Sequence, residues 1–425
     1  MLKIVTADGS RERELLSNLR SRKAEENAAI DAAVADILKT VREKGYEAVK
    51  EYSLRFDKAE PREITKGELE AAYAACPPEL IAALERSAAN IRDYNEKLLP
   101  KSETLTSPDG GKVGRVVRGL TRVGVYVPGG TAAYPSSVLM NAVPAKVAGV
   151  EEIVMVTPPT ENLNNAVLAA AKIAGVDRVI AVGGAQAVAA LTYGAGFIPK
   201  VDKLVGPGNA YVASAKRQVY GTLDIDMVAG PSEVLVIADG KANPVWVAAD
   251  LLSQAEHDKL ASAVLLTDSV ELAKAVDAEM ERQTAYLERS EIIKASVENF
   301  GYGIVCGDLR QAAALANEVA PEHLEIVSED PEALLPSIRN AGAVFLGDWS
   351  PEPLGDYMAG PDHVLPTSGT ARFFSPLSVT SFLKTMSVIQ YDKASLEPVK
   401  DQIVALAESE KLTAHANSIK VRFPN

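Results

Sequence analysis

The chain contains four histidines, and each has a carboxylate within five residues. His257 lies in QAEHD, His323 in PEHLE, His363 in PDHVLP and His415 in ESEKLTAH. A carboxylate beside an imidazole can fix its tautomer, raise its basicity or join it in binding a metal ion. Because the chain has 57 acidic residues, part of this proximity is expected by chance. The histidines are therefore candidates for acid–base or metal chemistry.

A mixed nitrogen and oxygen ligand set can be drawn from these settings. Residues three apart on a helix share a face, so Gln254 and His257 are expected side by side in the helical segment NPVWVAADLLSQAEHDKL. Together with Asp356 and His415 they would suit Zn²⁺ or Mn²⁺, with no thiolate ligand. Other sets of four can be drawn, and a surface histidine with polar neighbours is the ordinary alternative for His257.

The adjacent Glu322 and His323 have a different pattern. On a helix, neighbouring residues point about 100° apart, so this pair could act on one substrate from two sides but could not chelate tightly. An acid and a base with separate tasks fit that arrangement. The alternative is a helix N-terminus, with Pro321 in the first turn and Glu322 favoured by the helix dipole.

A long loop follows the apolar segment GAVFLG. It runs from Trp349 to Gly369, is rich in proline and glycine, and contains Glu352, Asp356, Asp362 and His363. Long loops at strand ends often carry functional residues, although an ordinary surface loop is also compatible with this composition.

The elements that position these residues alternate between strands and helices. The first hundred residues are helical in pattern, and from Arg115 the chain becomes β-branched. Apolar strands then alternate with helices in EEIVMVTPP, NLNNAVLAAAKIAGV, DRVIAVGG, AQAVAALTYG, KLVGPGN, AYVASAKRQVYG, SEVLVIAD and SAVLLTD. Such strands predict parallel sheets covered on both faces, and right-handed crossovers would make them doubly wound. The polar segment from Leu377 onward is too short to fold alone.

Glycines lie at the ends of several predicted strands. They are Gly129, Gly130, Gly183, Gly184, Gly206 and Gly208. Ligands bind outside the carboxyl ends of parallel strands, so a nucleotide could bind there. None of these loops is GxGxxG and no Walker motif occurs, so plain turn glycines are equally compatible with the sequence.

Composition excludes several classes of protein. A formal net charge of -13 argues against a nucleic-acid binder. No apolar run approaches the roughly 18 residues of a membrane helix, and no secretory signal is visible. The two cysteines, Cys76 and Cys306, cannot form a disulfide framework, and we expect a reducing cytoplasm.

Eight ordered motifs, from about Arg115 to Ile419, resemble the histidinol dehydrogenase family. They are GVYVPGG, GGAQAVAAL, VGPGNAYV, AGPSEVLVIAD, LLSQAEHD, APEHLEI, GDYMAGPDHVLPTSGTAR and LTAHANSI. The resemblance implies oxidation of L-histidinol to L-histidine by two NAD molecules through a bound L-histidinaldehyde, in the last steps of histidine biosynthesis. It also implies a homodimer in which the tail of each chain completes the site of its partner.

The resemblance also implies roles for individual residues. Glu322 and His323 would transfer protons, and one zinc ion would bind Gln254, His257, Asp356 and His415. The NAD contacts would be Tyr126, Gln186 and Asn209. The substrate contacts would be Ser232, Gln254, His257, His323, Asp356, His363, Glu410 and His415.

We therefore expect an α/β fold with two doubly wound, incomplete Rossmann-like domains, a helical N-terminal region and a small C-terminal helical tail. Its parts would be an N-terminal arm (1–25), a first domain with the metal and catalytic residues (26–125 and 235–376), an NAD-binding domain (126–234) and the tail (377–425). A zinc hydrolase, which has no use for nicotinamide, and a non-catalytic binding protein, in which Glu322 and His323 are replaceable, remain alternatives.

Overall fold

The computed structural model of the chain describes residues 1–21, 28–129, 134–159, 163–228 and 230–424. Gly130, one of the strand-end glycines, lies outside these residues. Within them, the strands are β1 (Lys3–Thr6), β2 (Arg62–Ile64), β3 (Glu103–Thr106), β4 (Lys112–Gly119), β5 (Arg122–Tyr126), β6 (Glu152–Thr157), β7 (Arg178–Ala181), β8 (Lys203–Val205), β9 (Asp224–Ile225), β10 (Glu233–Ala238), β11 (Ser262–Thr267), β12 (Gly301–Val305), β13 (His323–Val327), β14 (Ala343–Leu346) and β15 (Leu383–Gln390).

The helices alternate with these strands through much of the chain. They are α1 (Arg11–Ser21), α2 (Ala28–Lys44), α3 (Tyr46–Phe56), α4 (Lys66–Ala75), α5 (Pro78–Leu98), α6 (Pro135–Val147), α7 (Asn165–Ala174), α8 (Gly184–Tyr193), α9 (Ala210–Val219), α10 (Pro244–Ala255), α11 (Val270–Thr284), α12 (Ser290–Phe300), α13 (Leu309–Val319), α14 (Pro331–Leu334), α15 (Glu352–Tyr357), α16 (Lys393–Leu396), α17 (Lys400–Ser409) and α18 (Thr413–Lys420). No helix in the described part of the chain combines the length and apolar composition that a membrane crossing requires.

The first of two compact units comprises Met1–Leu98 and Leu120–Phe382. It contains a six-stranded, fully parallel sheet in the order β1-β12-β11-β10-β13-β14, which we call sheet A. Its strand order reverses between β10 and β13, and separate apolar clusters contain residues from alternate positions of its strands. The expected doubly wound topology is confirmed here.

Sheet B of the same unit has the order β2-β7-β6-β5-β8-β9. Its strands are parallel except for β2, which pairs with β7 in antiparallel fashion. The strand order reverses between β5 and β8, which makes this pair the topological switch point. The near-continuous apolar strands predicted such a sheet because both of its faces are covered by helices.

The N-terminal helices pack on the helices of sheet B. Helix α2 contacts α8 and α9, and residues from Val34 to Tyr52 share one apolar cluster with strands of that sheet. The sequence-based division groups residues 26–125 with the first α/β domain. Periodicity predicts the apolar faces of these amphipathic helices but does not specify the distant elements that bury them. The domain boundaries therefore remain a proposal.

The second compact unit comprises Leu99–Gly119 and Leu383–Asn425. It has an antiparallel sheet in the order β15-β4-β3, with helices α16 to α18, of which α17 and α18 contact each other. The helices of the expected tail are present, and strand β15 precedes them. A strand was not predicted in this segment.

Candidate active site

The amino ends of β10 and β13 bring two buried glutamates together. The strands pair in parallel with Val234 opposite His323, so Glu233 and Glu322 lie side by side at the start of each strand. The N–H of Glu233 donates to Oε2 of Glu322 at 2.8 Å, and the N–H of Glu322 donates to Oε2 of Glu233 at 3.3 Å. These reciprocal bonds place the Glu322 carboxyl group within the strand pair.

The Glu322–His323 dipeptide is therefore the start of a strand. The alternative of a helix N-terminus is wrong, because α13 ends at Val319 and the residues from His323 onward pair with β10 and β14. Burial and the neighbouring charge of Glu233 raise the pKa of Glu322 well above its usual value. A Cβ at Gly342 would come within 2.5 Å of the Glu322 carbonyl oxygen, so the β14 side of the site has room only for glycine.

His323 is buried, and one of its ring nitrogens contacts two polar groups. Its Nδ1 lies 2.7 Å from Nε2 of Gln254 and 3.0 Å from the carbonyl oxygen of Glu233. Burial lowers the pKa of His323 to about 4, so the ring is neutral at pH 7. Two tautomers of the neutral ring are compatible with these contacts. If the Gln254 amide donates to Nδ1, the ring proton lies on Nε2. If Nδ1 instead carries the proton and donates it to the Glu233 carbonyl oxygen, Nε2 is free to accept a proton.

The His323 ring and two nearby carboxyl groups have the chemistry of a metal site. Ligand atoms of His323, Glu352 and Asp356 lie within 4.8 Å of one another. The buried atoms Oε1 of Gln254, Nε2 of His323 and Oε1 of Glu352 make no hydrogen bond. Unpaired buried polar atoms are costly, and a bound cation would satisfy them. The residues present therefore fit a divalent metal ion.

Further carboxyl groups lie behind this cluster. The N–H of Glu352 donates to Oε1 of Glu325 at 2.8 Å, and Glu325 is hydrogen-bonded to Asp250 on α10. Burial raises the pKa of Glu352 to about 9 and that of Asp250 to about 6, and it raises the pKa of Glu325 well above its usual range. These three carboxyl groups therefore lie in an environment that favours their protonated forms unless a cation is present.

Asp356 also links two of the other histidines. Its Oδ1 lies 3.5 Å from Nδ1 of His363. Burial acts to lower the pKa of His363, but the hydrogen bond and charge of Asp356 outweigh it, so the pKa is raised. Burial lowers the pKa of His257, and the charge of Asp356 partly opposes this effect. Nε2 of His363 contacts Oγ of Ser137 on α6 at 3.3 Å.

His257 does not lie on the helix that carries Gln254. Helix α10 ends at Ala255, and the N–H of His257 donates to the carbonyl oxygen of Gln254 at 3.2 Å in the turn that follows. The prediction that Gln254 and His257 share one face of a helix was wrong, because α10 ends at Ala255, before His257. Ser232 lies just before β10, where its carbonyl oxygen accepts a hydrogen bond from the N–H of Ser262.

A cavity of about 300 Å³ adjoins these groups. Its polar lining includes His323, Asp356, Asp362 and His363, and much of its remaining lining is apolar. Burial raises the pKa of Asp362 to about 8, and its Oδ2 has no hydrogen-bond partner. The cavity can therefore hold a small ligand with both apolar and polar parts.

The carboxyl edge of sheet B forms a second candidate region. Oη of Tyr126, at the end of β5, accepts a hydrogen bond from the N–H of Gly184 at 3.0 Å, and burial raises its pKa to about 12. Gly206 follows β8 at φ +104°, and its N–H donates to Asp226. Lys216 bonds the Gly206 carbonyl oxygen and forms a buried ion pair with Asp226. The glycine turn at the switch point is thus held on both sides.

Two other residues expected to contact NAD already have partners within the chain. Nε2 of Gln186 donates to Oδ2 of Asp57 at 3.1 Å. Oδ1 of Asn209 accepts from the N–H groups of Tyr211 and Val212, so Asn209 caps α9. The capping role was not considered in the sequence analysis, although an asparagine before a helical segment is its usual signal.

The last two expected site residues belong to the second unit. Glu410 directly follows α17, and His415 lies in α18. Both are exposed in the single chain.

Sequence reasoning missed several groups that adjoin the candidate residues. Ser137, Lys216, Asp226, Glu233 and Glu325 come from different elements, and no local motif distinguishes them. An acidic residue at the start of an apolar strand, as in SEVLVIAD, was the one available signal for Glu233.

Comparisons with known proteins identify related chains. A family model described as histidinol dehydrogenase matches residues 20–423. The chain is 53% identical over 424 residues to the histidinol dehydrogenase of Clostridium acetobutylicum, covering 99% of this chain and 98% of the relative. It is 55% identical to that of Caldanaerobacter subterraneus, covering 97% and 96% of the two chains.

A solved structure gives the same result. The crystal structure of histidinol dehydrogenase from Elizabethkingia anophelis superposes with a TM-score of 0.92 at 36% identity, covering 96% of this chain and 95% of that one. Sequence and fold agree over almost the whole length, and the chain therefore belongs to the histidinol dehydrogenase family of oxidoreductases.

Proposed function

We propose that this enzyme oxidises L-histidinol to L-histidine in the last two steps of histidine biosynthesis, using two NAD molecules and keeping L-histidinaldehyde bound between them. The observation that carries the proposal is the buried Glu322–His323 pair beside a cavity and beside side chains that could ligate a metal ion, in a chain whose relatives are named histidinol dehydrogenases. Oxidation of an alcohol to an aldehyde releases the hydroxyl proton, and hydration and oxidation of the aldehyde release further protons, so proton-transfer groups must lie close to the substrate.

Gln254, His257, Asp356 and His415 are the proposed zinc ligands. The unpaired Oε1 of Gln254 and the placement of Asp356 among other ligand-type atoms support two of them. His323 and Glu352 offer a competing set with Asp356. A bound zinc ion would act as a Lewis acid that holds the substrate nitrogens. Three neutral ligands and one carboxylate would leave it a net positive charge for this role.

NAD is proposed to bind at the carboxyl edge of sheet B, with contacts from Tyr126, Gln186 and Asn209. The switch point between β5 and β8 and the glycine turn at Gly206 support this placement, since ligands bind where strand order reverses. NAD would accept the hydride in each half of the reaction.

His323 is proposed to remove the hydroxyl proton of histidinol. Burial keeps its ring neutral, and a proton on Nδ1 donating to the Glu233 carbonyl oxygen would leave Nε2 as the base. Glu322 is proposed to take a proton from the water that attacks the aldehyde. The remaining substrate contacts are proposed to be Ser232, His363 and Glu410, together with the zinc ligands and His323.

The first test measures stoichiometry. Two NADH should form per histidinol consumed, measured at 340 nm, with no free aldehyde captured by a carbonyl-trapping reagent. One NADH per substrate with substantial trapped aldehyde would contradict the bound intermediate.

The second test separates the two half-reactions. Glu322→Gln should oxidise histidinol better than it oxidises supplied histidinaldehyde, whereas His323→Asn should impair both steps by about 10²–10⁴-fold. Equal losses in both steps for Glu322→Gln would refute the division of roles.

The third test measures metal content. His257→Asn and Asp356→Asn should lose zinc and activity together while retaining the far-ultraviolet circular dichroism of the parent enzyme. Asp93→Asn, which alters an exposed carboxylate on α5, is the matched control and should retain both. Full zinc occupancy in either site variant would contradict the ligand assignment.

A homodimer with tails acting in trans completes the proposal. Apolar side chains of the second unit are strongly exposed in the single chain, including Ile389 (75%) and Leu406 (67%), and a partner could cover such surfaces. Mixed dimers of His257→Ala and His415→Ala chains should recover roughly a quarter of wild-type activity, because half the dimers are mixed and each contains one intact site. No recovery, with subunit exchange confirmed by mass spectrometry, would contradict the arrangement.

The proposed compartment is the cytoplasm. Both cysteines are free thiols, which is compatible with a reducing environment.

A further inference from the structure

Glu233 is buried at the start of β10 and contacts several parts of the candidate active site. It is 6% exposed. Its N–H donates to Oε2 of Glu322, and its carbonyl oxygen lies 3.0 Å from Nδ1 of His323. The backbone of this one residue therefore touches both members of the proposed proton-transfer pair.

The side chain of Glu233 links that pair to a loop. Its Oε2 accepts from the N–H of Glu322 at 3.3 Å, and its Oε1 accepts from the N–H of Ser368 at 3.1 Å. Ser368 has φ +56°, a left-handed conformation that is unfavourable for a residue other than glycine. The bond to Glu233 helps to hold this strained residue in the loop that also carries His363.

A second contact joins the same two segments. The N–H of Gly230 donates to Oγ1 of Thr367 at 2.6 Å, and a Cβ at Gly230 would lie 2.2 Å from Oγ of Ser368. The segments before β10 and after His363 are therefore in close contact, with the Glu233 carboxyl group at their junction.

We propose that Glu233 is a positioning residue that fixes the Glu322 side chain and the His363 loop relative to the His323 ring. The inference rests on the proposed function. Glu322 can accept a proton from the attacking water only if its carboxyl group is held at hydrogen-bonding distance from that water. A displacement of about 1 Å from this position lowers the reaction rate strongly. Burying the carboxyl groups of Glu233 and Glu322 next to each other costs free energy, because each loses its hydration and the two repel each other when ionised.

Two variants separate the effect of the Glu233 charge from the effect of its side-chain length. Glu233→Gln keeps the length but turns one acceptor oxygen into an NH₂ group that faces a backbone N–H. Glu233→Asp keeps the charge but shortens the side chain. Glu12→Gln is the matched control, because Glu12 is also buried and also accepts from two backbone N–H groups, those of Asp8 and Gly9.

The two half-reactions are then measured separately, with histidinol or histidinaldehyde as substrate. In both Glu233 variants, the kcat of aldehyde oxidation should fall about tenfold to a hundredfold relative to the kcat of alcohol oxidation. In Glu12→Gln the ratio should stay at the wild-type value even if thermal stability falls. An unchanged ratio in both Glu233 variants would overturn the inference, because a merely structural role lowers both steps together.

A double-mutant cycle tests whether Glu233 acts through Glu322. Adding Glu233→Gln to Glu322→Gln should change aldehyde oxidation by less than about twofold, since coupled residues are not additive. Full additivity would overturn the inference.

Crystal structures of the two Glu233 variants provide a readout that does not depend on the reaction. The Glu322 carboxyl group and the Ser368 backbone should both be displaced, and unchanged positions would overturn the inference. If the wild-type enzyme forms no NADH from histidinol, the proposed function fails, while these structures still decide whether Glu233 positions its neighbours.

Discussion

Replacing Gly206 with alanine would test the packing of the glycine turn that follows β8. Gly206 has φ +104°, and a Cβ built on it would lie 2.2 Å from the carbonyl oxygen of Tyr126. The turn cannot easily move away, because the Gly206 N–H donates to Asp226 at 2.7 Å and its carbonyl oxygen accepts from Lys216 at 2.9 Å. The contacted atom is backbone in a central strand, so no flexible side chain can yield.

The size of the effect follows from two separate penalties. An L-residue in a left-handed conformation costs about 1–2 kcal/mol. Forcing apart a well-packed region to relieve the contact with Tyr126 costs about 1–3 kcal/mol more. Gly206→Ala should therefore lower the free energy of unfolding by about 2–5 kcal/mol, of which the larger part depends on the neighbouring strand.

Gly221→Ala isolates the first penalty. Gly221 has a similar φ of +97°, but a Cβ there would meet nothing within 4 Å. Denaturant unfolding of both variants, with NAD binding measured by calorimetry, should show the larger loss of stability in Gly206→Ala together with weakened NAD binding. The reasoning is refuted if the two variants lose equal stability, since the contact with Tyr126 would then cost nothing.

Two further predictions concern buried charges. Lys216→Met should lower the unfolding free energy by about 3–5 kcal/mol, because it leaves the buried Asp226 carboxylate without its charged partner. Lys203→Met is the control and should lower it by about 0–1 kcal/mol, because its partner Asp224 is half exposed. Equal losses of stability in urea unfolding would contradict this prediction. Burial raises the pKa of Asp362 from 3.8 to about 8, so the folded state binds more protons than the unfolded state and stability falls as pH rises between these values. Asp362→Asn should therefore gain stability over the parent at each step from pH 4 to 8, and a pH-independent difference in melting temperature would rule this out.

The alternation of apolar strands and helices was sufficient to predict two parallel, doubly wound sheets. Segments such as SEVLVIAD and SAVLLTD became β10 and β11 because continuous apolar side chains can be buried on both sheet faces. The Gly-rich strand ends also lie where predicted, with Gly183 and Gly206 following β7 and β8. Ordered motifs identified the family.

Local patterns were less reliable at element ends. The turn after Ala255 and the strand that starts at His323 were both assigned to helices, because short polar segments are compatible with more than one backbone structure. Strand β15 was missed because its pairing with β4 depends on residues about 270 positions away in the chain, and its side chains are largely exposed.

By itself, the sequence determined the type of sheet, the family and the residue types available for chemistry, since these depend on local periodicity and on ordered motifs. Only the tertiary structure decided that Glu233 faces Glu322, that Glu352 joins Asp356 beside His323, and that Lys216 holds the Gly206 turn. The physical reason is that strand register and helix packing bring together residues far apart in the chain, and burial then changes their hydrogen bonding and pKa.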